Sequence, residues 1–464
     1  MKPADQLPSS YRDPSGFMFK MGGIYYRQVN KFFKEDFDYF ITSGCYDTLV
    51  SQKLLISHET IQQNLTGSAE WYLTLKPEQL SFISYPFEWS FDMLKDASIL
   101  TLRILKAALE KGMILKDATP YNIKFHEGKM IFIDTLSFEK YREEEPWVAY
   151  RQFCENFLGP LLLMHYKKMP LQQLMFAWPD GIPLQVIQSI LPVKSKFSFH
   201  TYLHVHLNAR ISTKENFPNK RQIRFSRQKL ENLIKSLEIL IQKLQLPQQK
   251  STWSAYYEEA SQRSNYLSEK KKIISDWLDS ISTSTVKKAA DLGANNGEFS
   301  RLLAGKDIET VAVDFDPYCI NNLYNSIKTS ATKHIQPLII DLSNPSPDSG
   351  FNNEERLSFM NRSNFDLTLA LALIHHLAIV KNIPLEKLAD FFSRITNKYL
   401  IIEFVPKDDE KVEYLLKNRK DVFSNYTSKN FEKSFESRFK INSRVMIGKS
   451  GRSLYLMKKH DYEN

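Results

Sequence analysis

A chain of 464 residues is too long for one ordinary hydrophobic core, and with 42% hydrophobic and 25% charged residues it has the composition of a globular protein rather than a disordered or fibrous one. No apolar run reaches the roughly 18 residues that span a bilayer, and the opening "MKPADQLPSSYRDPSG" has no apolar h-region, so the expectation is a protein of the reducing cytoplasm. The formal charge of +9 permits an anionic partner without requiring one, and Cys45, Cys154 and Cys319 stand too far apart for a CxxC or Cys/His cluster, which argues against a disulfide framework and a zinc site.

In chain order, "FKMGGIYYRQ" predicts a short hairpin turning at Gly22 and Gly23. A helical pattern through Leu100, Leu102, Leu105 and Leu109 follows, then the loop "KDATPYN" and the strand "KMIFIDT". The loop carries Asp117 and, five residues on, Asn122; the strand ends on Asp134. A phosphotransferase of the kinase type keeps its base Asp and a metal-binding Asn on such a loop and a second metal-binding Asp after such a strand. The segment thus resembles the C-lobe of kinase-like small-molecule phosphotransferases. That resemblance implies Asp117 as base, Asn122 and Asp134 as Mg²⁺ ligands, and Mg-ATP as the cofactor if the domain is active. Leu115 stands where that family has the His of His-x-Asp, and Thr135-Leu136 replaces its Phe-Gly. No G-x-G-x-x-G loop or V-A-I-K strand precedes them, which leaves Lys53 in "VSQKLLI" as the candidate phosphate-pairing lysine. The expectation is a degenerate kinase-like α+β domain over residues 1–215.

Residues 216–250 read as a helical connector. Leu230, Leu233, Ile234, Leu237, Ile241 and Leu244 recur at spacings of three and four between an N-cap at Ser226 and a stop at Pro247. The basic run "NKRQIRFSRQK", 219–229, offers weak support for nucleic-acid contact, since no RNA-binding module accompanies it. Trp253, Tyr256, Tyr257 and Tyr266 come next, as core or as cover for a ligand.

From 251 to 464 strand and helix patterns alternate: "KKAADLGA", "ETVAVDFD", "IQPLIIDL", "FDLTLALALIHHL" and "NKYLIIEFV", then "RVMIGKSGRSLYLMKK" as an antiparallel edge pair. In an open parallel sheet the ligand lies beyond the strands' carboxyl ends. There "DLGANNG" supplies Asp291 with Gly293 and Gly297 for positive φ and close approach, and Asp314 one strand later suits a ribose diol. The turn lacks the G-x-G-x-x-G spacing for a pyrophosphate, while Asp341 closes the next strand and "LALALIHHLAI" the fourth.

These motifs resemble those of class I S-adenosylmethionine-dependent methyltransferases. The resemblance implies a Rossmann-like fold of mostly parallel strands, with Asp291 and Gly293 lining the methionine part of the cofactor, Asp314 its ribose, and Asp341 with Leu342 its adenine. Asn295 stands where many members have Gly, and Asn is the residue that best tolerates left-handed backbone after Gly. His375 or His376 is the candidate base, and Glu403 a candidate to orient substrate or histidine. The His-His pair, without an Asn/Asp-Pro-Pro-aromatic turn, points to a small-molecule acceptor. With "PWVAYRQFC" and "IIEFVPKDD" the whole chain resembles nodulation-type two-part bacterial methyltransferases. A bifunctional methyltransferase and phosphotransferase, or a regulatory protein with vestigial nucleotide pockets, are the alternatives.

Overall fold

In the computed structural model, which describes residues 6–212, 225–247, 266–281, 285–417, 421–448 and 450–460, the chain forms two units. One comprises Met1–Gln248 together with Asp348–Arg356; the other comprises Gln249–Pro347 and Leu357–Asn464. Trp253, Tyr256, Tyr257 and the basic residues 219–224 lie outside the described residues.

The first unit opens on β1 (Gly16–Met21) and β2 (Ile24–Asn30), joined through Gly22 at φ +59° and Gly23 at φ +84°. Two successive positive φ values give a turn whose twist matches that of the strands, as the sequence predicts. With β3 (His58–Ile61) and β4 (Trp71–Pro77) they make a four-stranded antiparallel sheet of order β1-β2-β4-β3. Val29, Phe33, Phe37, Leu73, Leu75 and Leu136 pack as one cluster against it. The helix Phe91–Glu110 buries Leu100, Leu102, Leu105 and Leu109, the positions its periodicity marks. It leads into β5 (Met113–Leu115), the hairpin β6 (Ile123–His126) and β7 (Lys129–Phe132), and β8 (Phe138–Lys140), which pairs with β5.

The expected connector is part of this unit. The helix Arg227–Lys243 buries Leu230, Ile234, Leu237, Leu240 and Ile241. Lys106 of the Phe91–Glu110 helix pairs with its Glu238, and Lys95 Nζ donates to the carbonyls of Gln242 and Leu244 at 3.0 and 2.7 Å. An apolar stripe must be covered by something, and here another helix of the N-terminal unit covers it. Leu240, rather than Leu233, completes the buried face.

The second unit is a seven-stranded sheet of order β11-β10-β9-β12-β13-β15-β14. It is built from β9 (Lys288–Leu292), β10 (Glu309–Asp314), β11 (Ile335–Ile339), β12 (Phe365–Ala370), β13 (Thr396–Phe404), β14 (Phe439–Met446) and β15 (Ser453–Lys459). The first five run parallel; β15 runs antiparallel to both β13 and β14. All five residues of β11 are buried, as parallel strands covered on both faces require. The last hairpin is not a simple edge pair: β15 inserts between β13 and β14, so the edge strand β14 runs with the parallel set. The chain leaves β9 for β10 on one side and later returns to β12 on the other, which opens a crevice at the carboxyl ends of β9 and β12.

Candidate cofactor pocket and its surroundings

That crevice holds a pocket whose empty space, mouth included, is about 1180 Å³. Asp291, Gly293, Asn295, Asp314, Asp341, Leu342 and His376 line it. The turn after β9 places the first three. Gly293 sits at φ +78°, and its N–H donates to the Val313 carbonyl at 2.8 Å. Asn295 takes φ +49°, the left-handed backbone for which it is suited, and its N–H donates to Asp314 Oδ2 at 2.8 Å. Gly297 does not line the pocket. It is the N-cap residue of the helix Glu298–Ala304 at φ +77°, and a Cβ there would fall 2.5 Å from Leu323 Cδ1, so the glycine serves helix packing.

Two buried carboxyls dominate the electrostatics. Burial pushes both Asp291 and Asp314 up from 3.8 to about 6. Ser300 Oγ donates to Asp291 Oδ2 at 2.6 Å, and the Asp316 N–H to Asp314 Oδ1 at 2.9 Å. A carboxylate has about four acceptor positions, so two backbone N–H groups leave Asp314 capacity for a vicinal diol. Asp341 differs. Burial acts to raise it, but the Ser343 hydroxyl and N–H, at 2.6 and 2.9 Å, and Lys381 Nζ, at 3.2 Å, hold it below the ordinary value. Beside them Phe315, 55% exposed although aromatic, offers a ring on the pocket wall. It directly follows the ribose-type acid, a position the sequence reading passed over.

The three catalytic candidates separate in space. His376 lines the pocket, and burial lowers its pKa to about 4, which keeps the imidazole neutral. His375 is buried outside the pocket lining, its Nδ1 has no hydrogen-bond partner, and burial also lowers its pKa. Glu403 bonds to neither histidine ring. Fully buried, it accepts from Lys270 Nζ at 2.5 Å, from the Tyr266 hydroxyl, and from the Ala372 N–H at 2.9 Å. Ala372 sits at φ +50° in the loop that carries the histidines, so Glu403 fixes that loop from behind. Arg452 closes the network, reaching Asp409 through two bonds of 2.7 and 2.9 Å and the Tyr266 hydroxyl at 2.9 Å. Burial acts to raise Glu403, yet Lys270 and Arg452 hold it ionised below the usual range; burial lowers Lys270. Lys270 and Tyr266 reach the pocket wall, and Lys270 is a charged lining residue that no motif announced.

In the first unit the loop and strand-end residues also meet. Asn122 Nδ2 donates to Asp117 Oδ2 at 3.0 Å and to Ser137 Oγ at 3.3 Å, and Ser137 Oγ donates to Asp134 Oδ2 at 2.8 Å. Gln152 Nε2 caps the other Asp117 oxygen at 2.6 Å. Burial, with the nearby Asp134 charge, raises the Asp117 pKa. The cation in this cluster is Arg27 of β2, 2.7 Å from Asp134 and 3.1 Å from Asp13. Lys53, the lysine expected to pair with phosphates, is instead an exposed residue at φ +55° just past a helix end. Among the described residues no group of three or more His, Cys, Asp or Glu is placed to hold a metal ion, and no helix is long and apolar enough to cross a membrane.

The second unit is therefore a doubly wound α/β domain with an acid-lined pocket at its topological switch point, the class that the likeness to class I methyltransferases implies. Over 467 residues, covering 98% of this chain and 96% of the other, the sequence is 30% identical to the nodulation protein NoeA of Rhizobium meliloti (strain 1021). The chain belongs to the NoeA family. No family model matches it. Among solved structures, the bifunctional kinase-methyltransferase WbdD is 18% identical over 43% of this chain and 39% of that one, with a TM-score of 0.29. Magnesium protoporphyrin IX methyltransferase from Synechocystis PCC 6803 with bound SAM is 12% identical over 46% of this chain and 87% of that one, with a TM-score of 0.30.

Proposed function

We propose that the C-terminal unit binds S-adenosylmethionine and transfers its methyl group to a small-molecule acceptor, and that the N-terminal unit selects that acceptor. The observation that carries this reading is Asp314: a buried carboxylate on the pocket wall, fixed by two backbone N–H groups, with acceptor capacity left for a ribose diol. The pocket lies beyond the carboxyl ends of β9 and β12, where an open α/β sheet takes a nucleoside cofactor. Three carboxyls on its wall, Asp291, Asp314 and Asp341, favour a ligand that carries positive charge. Asp291 and Gly293 would hold the methionine part, and Asp341, Leu342 and Phe315 would flank the adenine. When bound, the cofactor supplies an electrophilic methyl group. His376, neutral at physiological pH and on the pocket wall, is our candidate to take a proton from the acceptor. Titration calorimetry tests the reading: S-adenosylmethionine should bind the wild type, and no heat at millimolar ligand would end it.

The assembled Asp117, Asn122 and Asp134 favour a second reading, phosphotransfer in the N-terminal unit. Arg27 weighs against it. Its guanidinium already neutralises Asp134, whose carboxylate an Mg²⁺ ion would need. A hydrogen-bonded scaffold for acceptor binding is the reading this cluster supports best.

A further inference from the structure

The first unit displays an apolar patch that neither site uses. Val193, Phe197 and Phe199 are 69, 87 and 73% exposed, within seven residues of one another. Large apolar side chains so fully in water, and so close together, mark an interaction surface. The segment that carries them is anchored. Ser195, at the centre of the Val193–Phe197 turn, is fully buried, with its hydroxyl 2.8 Å from His206 Nε2 and its N–H on the Pro192 carbonyl at 2.9 Å. Ser198 Oγ accepts from the Thr201 hydroxyl at 3.0 Å. The inward serine drives its neighbours outward, so Lys194 and Lys196 are exposed between Val193 and Phe197. A second loop adjoins: Lys194 Nζ lies 5.8 Å from the centre of the Tyr166 ring, and exposed Lys167, Lys168 and Met169 follow that tyrosine. From Asn156 to Ser212 the sole acidic residue is Asp180, against four lysines and Arg210.

We infer that this patch docks the protein on an anionic membrane surface. Apolar and cationic side chains stand side by side within a single turn. In a protein interface, the lysines between Val193 and Phe197 would be desolvated along with their neighbours and would need buried acids opposite them. At a headgroup layer the long lysine stems keep the ammonium groups among the phosphates while the rings sit below, among the acyl chains. The patch is basic, which matches an anionic surface. No spanning segment is needed, and the proposal does not depend on what the pocket of the second unit binds.

The test is co-sedimentation of the full-length protein with vesicles of phosphatidylcholine containing about one-third phosphatidylglycerol, against pure phosphatidylcholine. Binding is expected to the anionic vesicles alone, and to weaken as salt shortens the Debye length. Phe197→Ser with Phe199→Ser should weaken it about tenfold per ring. Lys194→Gln with Lys196→Gln should weaken it about fivefold per charge. All four side chains are exposed, so the melting temperature should not change, which separates lost docking from lost fold. Equal sedimentation with neutral vesicles, or ring variants that sediment as the wild type does, would overturn the proposal. So would a wild-type dimer in analytical ultracentrifugation that the ring variants dissolve while no vesicle binds, since the patch would then join two copies of the chain.

Discussion

Replacing Asp314 by Asn removes the charge and keeps the shape. Burial holds the wild-type carboxyl near 6 against 3.8 in the unfolded chain, so at pH 7 its ionisation costs folding about 3 kcal/mol. The folded state binds the extra proton between those two values; the contribution is fully present below about 4 and is lost as pH rises through 6. The amide spares that cost, but its NH₂ must face one of the two backbone donors, Asn295 N or Asp316 N, for a loss of about 1–2 kcal/mol. The variant without ligand should therefore be about 1 kcal/mol more stable than wild type at pH 7 and less stable at pH 4.5. Cofactor affinity moves the other way. A ribose diol deprived of a carboxylate loses about 1.5–3 kcal/mol, or roughly 10- to 150-fold. Because the diol donates to the ionised form, wild-type affinity should also fall by up to about tenfold per pH unit below 6, and the variant's should not. Urea melts at the two pH values, with calorimetry of S-adenosylhomocysteine from pH 5 to 8, measure all three effects. A variant that binds like wild type with the same pH profile would remove Asp314 from the site.

Once an acceptor is known, His376→Ala should lower turnover by about 10²–10⁴ at nearly constant cofactor affinity, whereas His375→Ala should chiefly cost stability, about 2–4 kcal/mol from the cavity it leaves. Equal turnover in the two variants would leave no base among them. Glu403→Ala leaves buried Lys270 without its carboxylate, while Arg452 keeps Asp409, and should cost about 3–5 kcal/mol in a denaturant melt; a loss under 1 kcal/mol would show that the network is not structural. Wild-type protein should show no Mg²⁺-dependent ATP binding, and Asp117→Asn should lower stability without any nucleotide effect. A micromolar, Mg²⁺-dependent ATP affinity lost in Asp134→Ala and kept in Asp314→Asn would make the protein bifunctional.

The strand series from 288 to 459 was legible because parallel strands buried on both faces write continuous apolar runs, and their ends carry the acids. Asp291, Asp314 and Asp341 were thus legible as strand-end acids. Depth around a strand end was not legible. His375 and His376 are neighbours in sequence, and only the helical turn beginning at His376 decides which one reaches the pocket. Lys270 escaped because its place rests on a long-range partner, Glu403. Arg27 escaped for a related reason: a search for a strand lysine passes over an arginine that arrives from the second strand of a hairpin. The helix from Arg227 was found, but its stripe could not say which unit it would cover.

The stretch Asp348–Arg356 stands in the sequence between β11 and β12, yet belongs to the N-terminal unit. There Glu355 accepts from the Tyr11 hydroxyl at 2.8 Å and from Arg12 at 2.7 Å, and the Arg356 guanidinium lies 4.0 Å from the centre of the Tyr121 ring, within the "KDATPYN" loop. The polypeptide thus passes from one unit to the other three times, and no single cut yields two whole modules. A fragment ending at Gln248 would lack part of its own packing, and a protease that nicked the chain just after that residue would leave two pieces that still migrate as one. Recombination meets the same obstacle: a crossover at the apparent domain boundary would separate Tyr11, Arg12 and Tyr121 from the side chains they pack with, so the two halves of the gene are expected to be inherited as a pair.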